Sequence, residues 1–302
     1  MHFGKRFLAS LVGAGLAVSL LGACESPDPV EPERYAATDR LVQLMNANLS
    51  RSARLKKIAE IDHSRLGQDA SSPMPPSTVL IFSDPALEAR LIQFNPLAAL
   101  EMPLRVLVFE QEVGGPARVI WNSFDYLVSR YEIDSDAAHA LRSAYESGIA
   151  EVTRGVPDSA ITSFPNDVMQ PDGIITIPSP YGFDETLRRV NATIDAQDDT
   201  MHFGKMDFQA SAGKQGIDIA PSRLILFGAP GPGGRIMAGA ITLGLDGFCQ
   251  KFLVWQDAQG RTYLSFNDLV ALADRQALSK SIVLRLVNFR LQRTFRKALA
   301  TD

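Results

Sequence analysis

The sequence predicts an α+β protein that contains two divergent copies of one small domain. A shift of 145 positions aligns residues 75–85 (PPSTVLIFSDP) with residues 220–230 (APSRLILFGAP). Short runs rich in β-branched residues alternate with amphipathic helical patterns in both halves. The length of 302 residues gives room for about two domains of ordinary size. A duplicated domain explains all three observations.

The same shift holds along most of both copies. The identical pairs are Asn46/Asn191, Asp62/Asp207, Arg90/Arg235, Leu100/Leu245, Asn122/Asn267, Leu127/Leu272 and Arg130/Arg275. A slip of one residue aligns RVLVF (105–109) with KFLVW (251–255). We therefore assign the first domain to residues 38–155 and the second to residues 156–302.

Periodicity and turn residues predict seven elements in the second copy. They are a strand at 173–179, a helix that starts at Asp184 and Glu185, a short strand at 206–209, a buried strand at 222–227, a loop at 228–234, a hairpin at 251–266 and one long helix from Asn267 and Asp268 towards residue 298. The first copy repeats the later elements. Its first strand would fall in the proline-rich segment 25–37, so this copy is expected to be truncated or irregular at its start.

The N-terminus has the features of a bacterial lipoprotein signal peptide. Lys5 and Arg6 precede an apolar stretch of 15 residues, which is short for a transmembrane helix. The stretch ends in Leu21-Gly22-Ala23-Cys24, which resembles the lipobox. We predict that residues 1–24 form the signal region, that cleavage occurs before Cys24, and that lipid such as palmitate on Cys24 anchors the chain. The alternative is an ordinary signal peptide followed by a chance cysteine.

The segment after the cysteine predicts a tether and a location. Residues 25–37 hold three prolines and four acidic residues without periodicity, as in a solvated, semi-extended linker. Glu25 directly follows the cysteine and favours the outer membrane over the inner one. The expected location is the cell envelope, on the periplasmic side.

Composition argues against several classes of function. The net charge of -4 gives no general attraction to nucleic acid. Besides Cys24 the only cysteine is Cys249, so no intramolecular disulfide is expected. The sequence contains no CxxC, HxH or HExxH pattern, and we predict neither a metal nor a cofactor.

Both copies resemble the DUF302 family, a bacterial domain family without an established activity. The similar segments are 173–190, 227–230, 251–255 and 266–268 in the second copy, and 61–63 and 103–109 in the first. Arg105 stands where the family has lysine. The resemblance implies a small α+β domain in which an antiparallel sheet packs against helices.

Each copy lacks part of the family's motif set. His63 keeps the histidine of the first copy, whereas Phe208 takes its place in the second. Gly228 keeps the loop glycine of the second copy, whereas Ser83 takes its place in the first. Because duplicated domains often pack about a pseudo-twofold axis, we expect His63 and the 228–234 loop at one composite cleft between the domains.

The candidate ligand-binding or catalytic residues are Asp62, His63, Arg105, Asp207, Phe227, Gly228, Lys251 and Asn267. A carboxylate beside an imidazole can orient or charge it, although neighbours on a strand point to opposite faces. Arg105 and Lys251 occupy matched strand positions, either as ligand-facing cations or at a solvated sheet edge. The glycines of 228–235 either present N–H groups to an anion or only shape a loop.

The C-terminal helix carries a basic face beside an apolar stripe of Ile282, Leu286 and Phe289. Its basic residues are Lys280, Arg285, Arg290, Arg293, Arg296 and Lys297. Such a helix either packs its stripe on its own sheet or lies on anionic lipid. We expect the first arrangement.

These features favour a non-enzymatic envelope lipoprotein whose paired domains bind a small ligand or another envelope protein. The divergence between the copies and the lack of a recognisable catalytic constellation favour this interpretation. The alternative is an enzyme with a composite site between the domains. The expected partners are the membrane, through lipid on Cys24, and a small ligand or an envelope protein, but not nucleic acid.

Overall fold

Two antiparallel sheets, each packed with helices, form the framework of the chain. The computed structural model describes residues 32–165 and 173–301, and the chain from Pro32 onward forms one compact unit. The predicted signal region, Cys24 and the tether before Pro32 lie outside the described residues. Among the described helices, none has the length and apolar character needed to cross a membrane.

The first copy is built on a four-stranded sheet with the order β1-β2-β3-β4. Its strands are β1 (Lys56–Asp62), β2 (Ser77–Ser83), β3 (Leu104–Glu110) and β4 (Ala117–Ile120). Its helices are α1 (Ala36–Arg51), α2 (His63–Asp69), α3 (Pro85–Phe94), α4 (Phe124–Tyr131) and α5 (Ser135–Val152), with 3-10 segments at Pro32–Tyr35, Pro96–Leu100 and Asp158–Ala160. The central strands β2 and β3 are buried along their whole length, which explains their nearly continuous apolar sequence.

The second copy is built on a five-stranded sheet with the order β5-β9-β8-β7-β6. Its strands are β5 (Ile174–Ser179), β6 (Met201–Asp207), β7 (Ser222–Gly228), β8 (Gln250–Gln256) and β9 (Thr262–Asn267). Its helices are α6 (Phe183–Asp195), α7 (Phe208–Gly213), α8 (Pro230–Met237), α9 (Leu269–Arg275) and α10 (Ile282–Ala298), with a 3-10 segment at Ile241–Gly244. The predicted α+β class is confirmed.

The two sheets repeat each other strand by strand. β1 and β6 begin and end 145 positions apart, and so do β2 and β7. The two edge strands share an irregularity in pairing, between Lys57 and Ala59 in β1 and between His202 and Gly204 in β6. β5 has no counterpart among the described residues of the first copy. The tandem of two divergent copies is therefore confirmed.

Two predicted elements of the second copy are wrong for local reasons. The strand predicted at 206–209 ends at Asp207, because its carboxylate accepts the N–H of Ala210 and caps α7. The predicted 228–234 loop becomes helix α8 from Pro230, since proline suits the first turn of a helix. At the N-terminus, Tyr35 is buried and α1 begins at Ala36, so the predicted tether extends too far.

The predicted long C-terminal helix is two helices. Asp268 accepts the N–H groups of Val270 and Ala271 and caps α9, as predicted. The chain leaves the helix after Arg275, and Ala277 adopts a left-handed φ of 55°. The hydroxyl of Ser281 then caps α10 by accepting the N–H of Leu284.

The face of α10 that packs on the domain is not the predicted stripe. The helix buries Leu284, Asn288, Leu291 and Phe295. Both sets have helical spacing, but they lie about half a turn apart, so burial of one exposes the other. Ile282, Leu286 and Phe289 are therefore exposed, and the expectation that they pack on the sheet is wrong.

The two copies pack against each other through reciprocal contacts: each contact has a counterpart in which the roles of the copies are reversed. α2 packs on α8 and α3 packs on α7, and the shift of 145 relates α2 to α7 and α3 to α8. The segment Ile241–Gly244 packs on β2 and β3, and its counterpart Pro96–Leu100 packs on β7, β8 and β9. Reciprocal contacts of this kind are the mark of a pseudo-twofold interface.

Glycines allow the main chain around α2 and the main chain of α8 to approach each other closely. A Cβ on Gly234 would lie 2.4 Å from the carbonyl oxygen of Ser72, and one on Gly67 would lie 2.7 Å from the same oxygen. Because the obstacle is main chain, a side-chain rotation cannot relieve the clash. Close packing thus occupies the place where a cleft was expected.

Candidate functional site

A cluster of buried charged and amide side chains lies where the two copies meet. We call it the interface cluster; its members are Glu101/Asp246, Arg105/Lys251, Asn122/Asn267 and Arg130/Arg275. Each pair is related by the repeat, and no member is more than 4% exposed. Three predicted site residues, Arg105, Lys251 and Asn267, belong to it.

Hydrogen bonds of the interface cluster cross from one copy to the other and also link residues within a copy. Arg130 donates to Oδ1 of Asn267 at 2.7 Å, and Arg275 donates to Oδ1 of Asn122 at 2.7 Å. Arg130 also donates to Oε1 of Glu101 at 2.6 Å. The amide of Asn122 donates to Oδ2 of Asp246 at 2.9 Å. The Arg130–Asn267 and Arg275–Asn122 bonds obey the same pseudo-twofold relation as the helices around them.

Lys251 and Arg105 supply cations to the centre of the interface cluster. Lys251 Nζ lies 2.8 Å from Oδ1 of Asp246 and 3.8 Å from Oε2 of Glu101. Burial, with Arg105 nearby, lowers the pKa of Lys251. Burial opposes ionisation of Asp246, but Lys251 and Arg105 outweigh it and hold the pKa of that carboxyl well below its usual range.

The interface cluster links the two copies through buried side chains. Arg105 and Lys251 lie on the interior strands β3 and β8 and point into the interface. Neither sequence interpretation, a ligand-facing cation or a solvated sheet edge, is correct for them. A ligand could reach these side chains only if the copies separated. Separation of the copies would take the buried charges away from their partners across the interface, and a buried charge without its partner is costly.

His63 begins α2 and is buried against the second copy. Its Nε2 lies 3.0 Å from the carbonyl oxygen of Gly244. Burial lowers the pKa of His63 to about 4, so the neutral ring donates to this carbonyl at pH 7. Gly228 and Pro230 line a cavity of about 10 Å³ beside it, which is room for about one water molecule. His63 and the start of α8 are therefore neighbours, without space for a substrate.

Asp62 and Asp207 have the same structural role, since each caps a helix in its own copy. Asp62 accepts the N–H of Arg65 at 2.8 Å, and Asp207 accepts the N–H of Ala210 at 3.0 Å. Each residue ends an edge strand and caps the helix that follows. Asp207 also forms an ion pair with Arg223 at 2.7 Å. Helix capping accounts for the identity of these residues across the repeat.

Phe227 and Gly228 end β7 and pack in the core of the second copy. The ring of Phe227 meets Phe252 edge to face, with centroids 4.8 Å apart. A Cβ on Gly228 would lie 2.8 Å from the ring of Phe203. Packing therefore explains this glycine, and the structure gives no support to a phosphate-binding loop.

An open groove of about 760 Å³ lies between α6 and α10, and we call it the basic groove. Five cations line it: Arg188, Arg189, Arg290, Arg293 and Lys297. Small and polar residues lie between them, and no lining residue is acidic. An open cavity with this lining suits an anion better than a neutral or cationic molecule.

Two carboxylates beside the basic groove offset part of its charge. Glu185 pairs with Arg188 at 2.6 Å and with Arg189 at 2.8 Å. Asp199 lies 3.9 Å from Arg290. Five cations and two carboxylates leave a local net charge of +3. Much of this excess comes from α10.

A small apolar cavity adjoins the basic groove. Its volume is about 50 Å³, and it shares Gln197 and Arg290 with the groove. Phe227, Phe248 and Leu291 form part of its wall. Phe227 is thus the one predicted site residue that lines this cavity.

Comparison with known proteins identifies the family. The family model described as "Domain of unknown function DUF302" matches residues 33–150 and 175–298. The chain belongs to the DUF302 family. The two matched segments correspond to the two copies seen in the fold, so this is a tandem DUF302 protein.

Several known proteins are similar to part of this DUF302 chain. Proteins named "Fluoride-specific ion channel FluC 1" from Brucella suis biovar 1 (strain 1330) and Brucella abortus biovar 1 (strain 9-941) are 34% identical to it over 109 residues. The alignment covers 36% of this chain, and 42% and 40% of those proteins respectively. The chain therefore spans about two fifths of the length of the curated relatives it matches.

A solved structure of the same family is also similar. It is the crystal structure of an uncharacterized conserved protein DUF302 from Bacillus stearothermophilus, with 16% sequence identity. The match covers 42% of this chain and 96% of that chain, with a TM-score of 0.36.

Five members of the interface cluster were missed in the sequence: Glu101, Asn122, Arg130, Asp246 and Arg275. A signal for them existed, because Asn122/Asn267 and Arg130/Arg275 are identical polar pairs in otherwise divergent copies. The basic groove was also missed. Its cations lie on two helices about 100 positions apart, and only folding brings those helices together.

Proposed function

We propose that this tandem DUF302 protein is a binding protein of the cell envelope, and that its basic groove holds a small organic anion. One observation carries the proposal: an open groove of about 760 Å³ is lined by five cations and no carboxylate. Charged donors of this kind form the stronger class of hydrogen bonds with anions. The apolar cavity beside Arg290 suits an anion that also has an apolar part.

Removing two cations is expected to weaken anion binding. Arg293 and Lys297 have no carboxylate within 4.0 Å among the described residues, so their charge is free to act on a ligand. Calorimetric titration with citrate should show at least about fivefold weaker binding to the Arg293→Ala/Lys297→Ala variant. Lys214→Ala removes an exposed lysine on α7's C-terminal side and is the matched control.

Equal binding by the double variant and the control would refute the proposed anion site. So would citrate affinity that does not change with ionic strength, because exposed charges are screened by salt. If citrate binds as expected, mass spectrometry of protein purified from its native envelope would identify the natural ligand.

We also propose that lipid on Cys24 holds the protein at a membrane. The supports are the basic start, the apolar stretch and the Leu21-Gly22-Ala23-Cys24 sequence. The curated relatives add support, because a segment similar to this chain forms part of proteins named as ion channels. The activity in that name is not carried over, since the shared segment is only about two fifths of those proteins.

Cys24→Ala is expected to move the protein out of the salt-washed membrane fraction or to leave it uncut. The thiol of Cys24 is the group that would carry the lipid, and alanine cannot replace it. Fractionation and the mass of the mature chain measure the result. Cys249→Ala, at a buried cysteine, is the matched control and should stay with the membrane. A Cys24→Ala protein that is cut and retained as before would rule out the anchor.

The enzyme alternative, with a composite site at His63, has less support. The cavity beside His63 has room for about one water molecule, and the ring is hydrogen-bonded to the main chain of Gly244. The larger open space lies at the basic groove instead, within the second copy.

A further inference from the structure

The outward face of α10 exposes large apolar side chains. Ile282 is 77% exposed, Leu286 60% and Phe289 61%, and Val283 beside them is 42% exposed. Elsewhere in the described chain, the exposed large apolar residues are scattered singly. Single exposed residues are ordinary, whereas a contiguous set on one helix marks a contact surface.

The same face becomes basic towards the C-terminal end of the helix. Arg293, Arg296 and Lys297 follow the apolar residues, and Arg285 and Arg290 flank them. α10 contains no acidic residue, so the helix carries five positive charges in a protein with a net charge of -4. The charge is therefore concentrated where the apolar side chains are exposed.

The first copy supplies an internal comparison. α5 packs on α1 as α10 packs on α6. The described side chains of α5 expose no large apolar residue, and the helix has three acidic residues against one arginine. The fold of the first copy therefore forms without an apolar, basic outward face on the corresponding helix.

We propose that the outward face of α10 lies on an anionic phospholipid surface. Ile282, Leu286 and Phe289 would insert below the headgroups, and the arginines around them would bind the phosphates. A helix with an apolar face and flanking cations binds at this depth because it buries apolar area and gains attraction to negative lipid. The face points away from the domain and does not depend on an occupant in the basic groove.

Vesicle sedimentation tests the proposal. The chain from residue 24 onward with Cys24→Ala contains the whole compact unit and has no acyl chain of its own. We expect it to bind vesicles of phosphatidylglycerol and phosphatidylcholine in equal parts, and to bind pure phosphatidylcholine weakly. Leu286→Ser/Phe289→Ser should lower the partition coefficient at least about tenfold. Phe94→Ser, at a phenylalanine that is 50% exposed on α3, is the matched control.

A second pair of variants separates this surface from the basic groove. Arg285 and Arg296 do not line the groove. Arg285→Ala/Arg296→Ala should lower binding to the anionic vesicles at least about fivefold and leave citrate binding unchanged.

Three results would overturn the proposal. The first is no binding of the parent chain to anionic vesicles. The second is equal binding by Leu286→Ser/Phe289→Ser and the parent. The third is a dimer in sedimentation equilibrium that the same double variant abolishes, without vesicle binding, because the face would then belong to a second copy of the chain.

Discussion

Replacing Arg130 with methionine is expected to lower the free energy of unfolding by about 3–5 kcal/mol. The guanidinium is buried and donates to Glu101, Tyr126, Asn267 and the carbonyl of Gly173. Methionine fills similar space but removes the four hydrogen bonds that the guanidinium donates, and a buried carboxylate that loses its nearest cation is costly. Urea unfolding at pH 7, followed by circular dichroism, measures the change.

Arg142→Met is the matched control for this prediction. Arg142 pairs with Asp125 and Glu146, but its side chain is 39% exposed. Exposed ion pairs contribute about 0–1 kcal/mol, so this variant should be close to the parent. If Arg130→Met costs no more than Arg142→Met, the interface cluster does not hold the copies together.

A double-mutant cycle shows whether the stability comes from contact between the copies. Arg130 is in the first copy, and its partner Asn267 is in the second, 2.7 Å away. Arg130→Met, Asn267→Leu and the double variant should give a coupling energy of about 0.5–3 kcal/mol. Additive losses would mean that the two side chains stabilise their own copies independently.

The stability contributed by burying a neutral His63 is expected to disappear in mild acid. The folded state lowers the pKa of His63 to about 4, whereas the unfolded value is about 6.5. Between these values the unfolded chain binds the extra proton, so stability rises with pH. The contribution is complete above about pH 6.5 and is lost as the pH falls through about 4. It amounts to about 3 kcal/mol.

His63→Gln isolates this effect from the other groups that titrate in acid. Glutamine cannot take up the proton, so the advantage of the parent over this variant should shrink by about 3 kcal/mol between pH 7 and pH 4. Unfolding free energies measured across this range give the difference. His139→Gln, at an exposed histidine on α5, controls for the loss of an imidazole. A constant difference between the parent and His63→Gln would show that His63 takes up its proton at the same pH in the folded and unfolded states, and would contradict the prediction.

The repeat, the α+β class and most strands were determined by the sequence alone. Alternating and continuous apolar runs report burial directly, and the shift of 145 positions made each copy a check on the other. Two of the wrong boundaries lie at helix starts. Phe208 and Pro230 each begin a helix, but sequence reasoning placed one in a strand and the other in a loop.

The roles of the candidate residues were decided only by the tertiary structure. Asp62 and Asp207 looked catalytic, but their carboxylates cap helices. Arg105 and Lys251 looked like surface or ligand-facing cations because their sequence neighbours are apolar. Each is buried where the opposite copy packs on its strand, and no pattern within one copy encodes what the other copy places opposite.

The orientation of α10 was also decided by packing. The sequence offers two apolar stripes with the same helical spacing, Ile282–Leu286–Phe289 and Leu284–Leu291–Phe295. Periodicity predicts a helix for both but does not state which stripe faces inward. The sheet and α6 select the second stripe, and this choice leaves the first exposed among cations. The sequence alone determined that this is a tandem α+β protein, whereas contacts between distant segments determined which charges are buried and which remain available to a ligand.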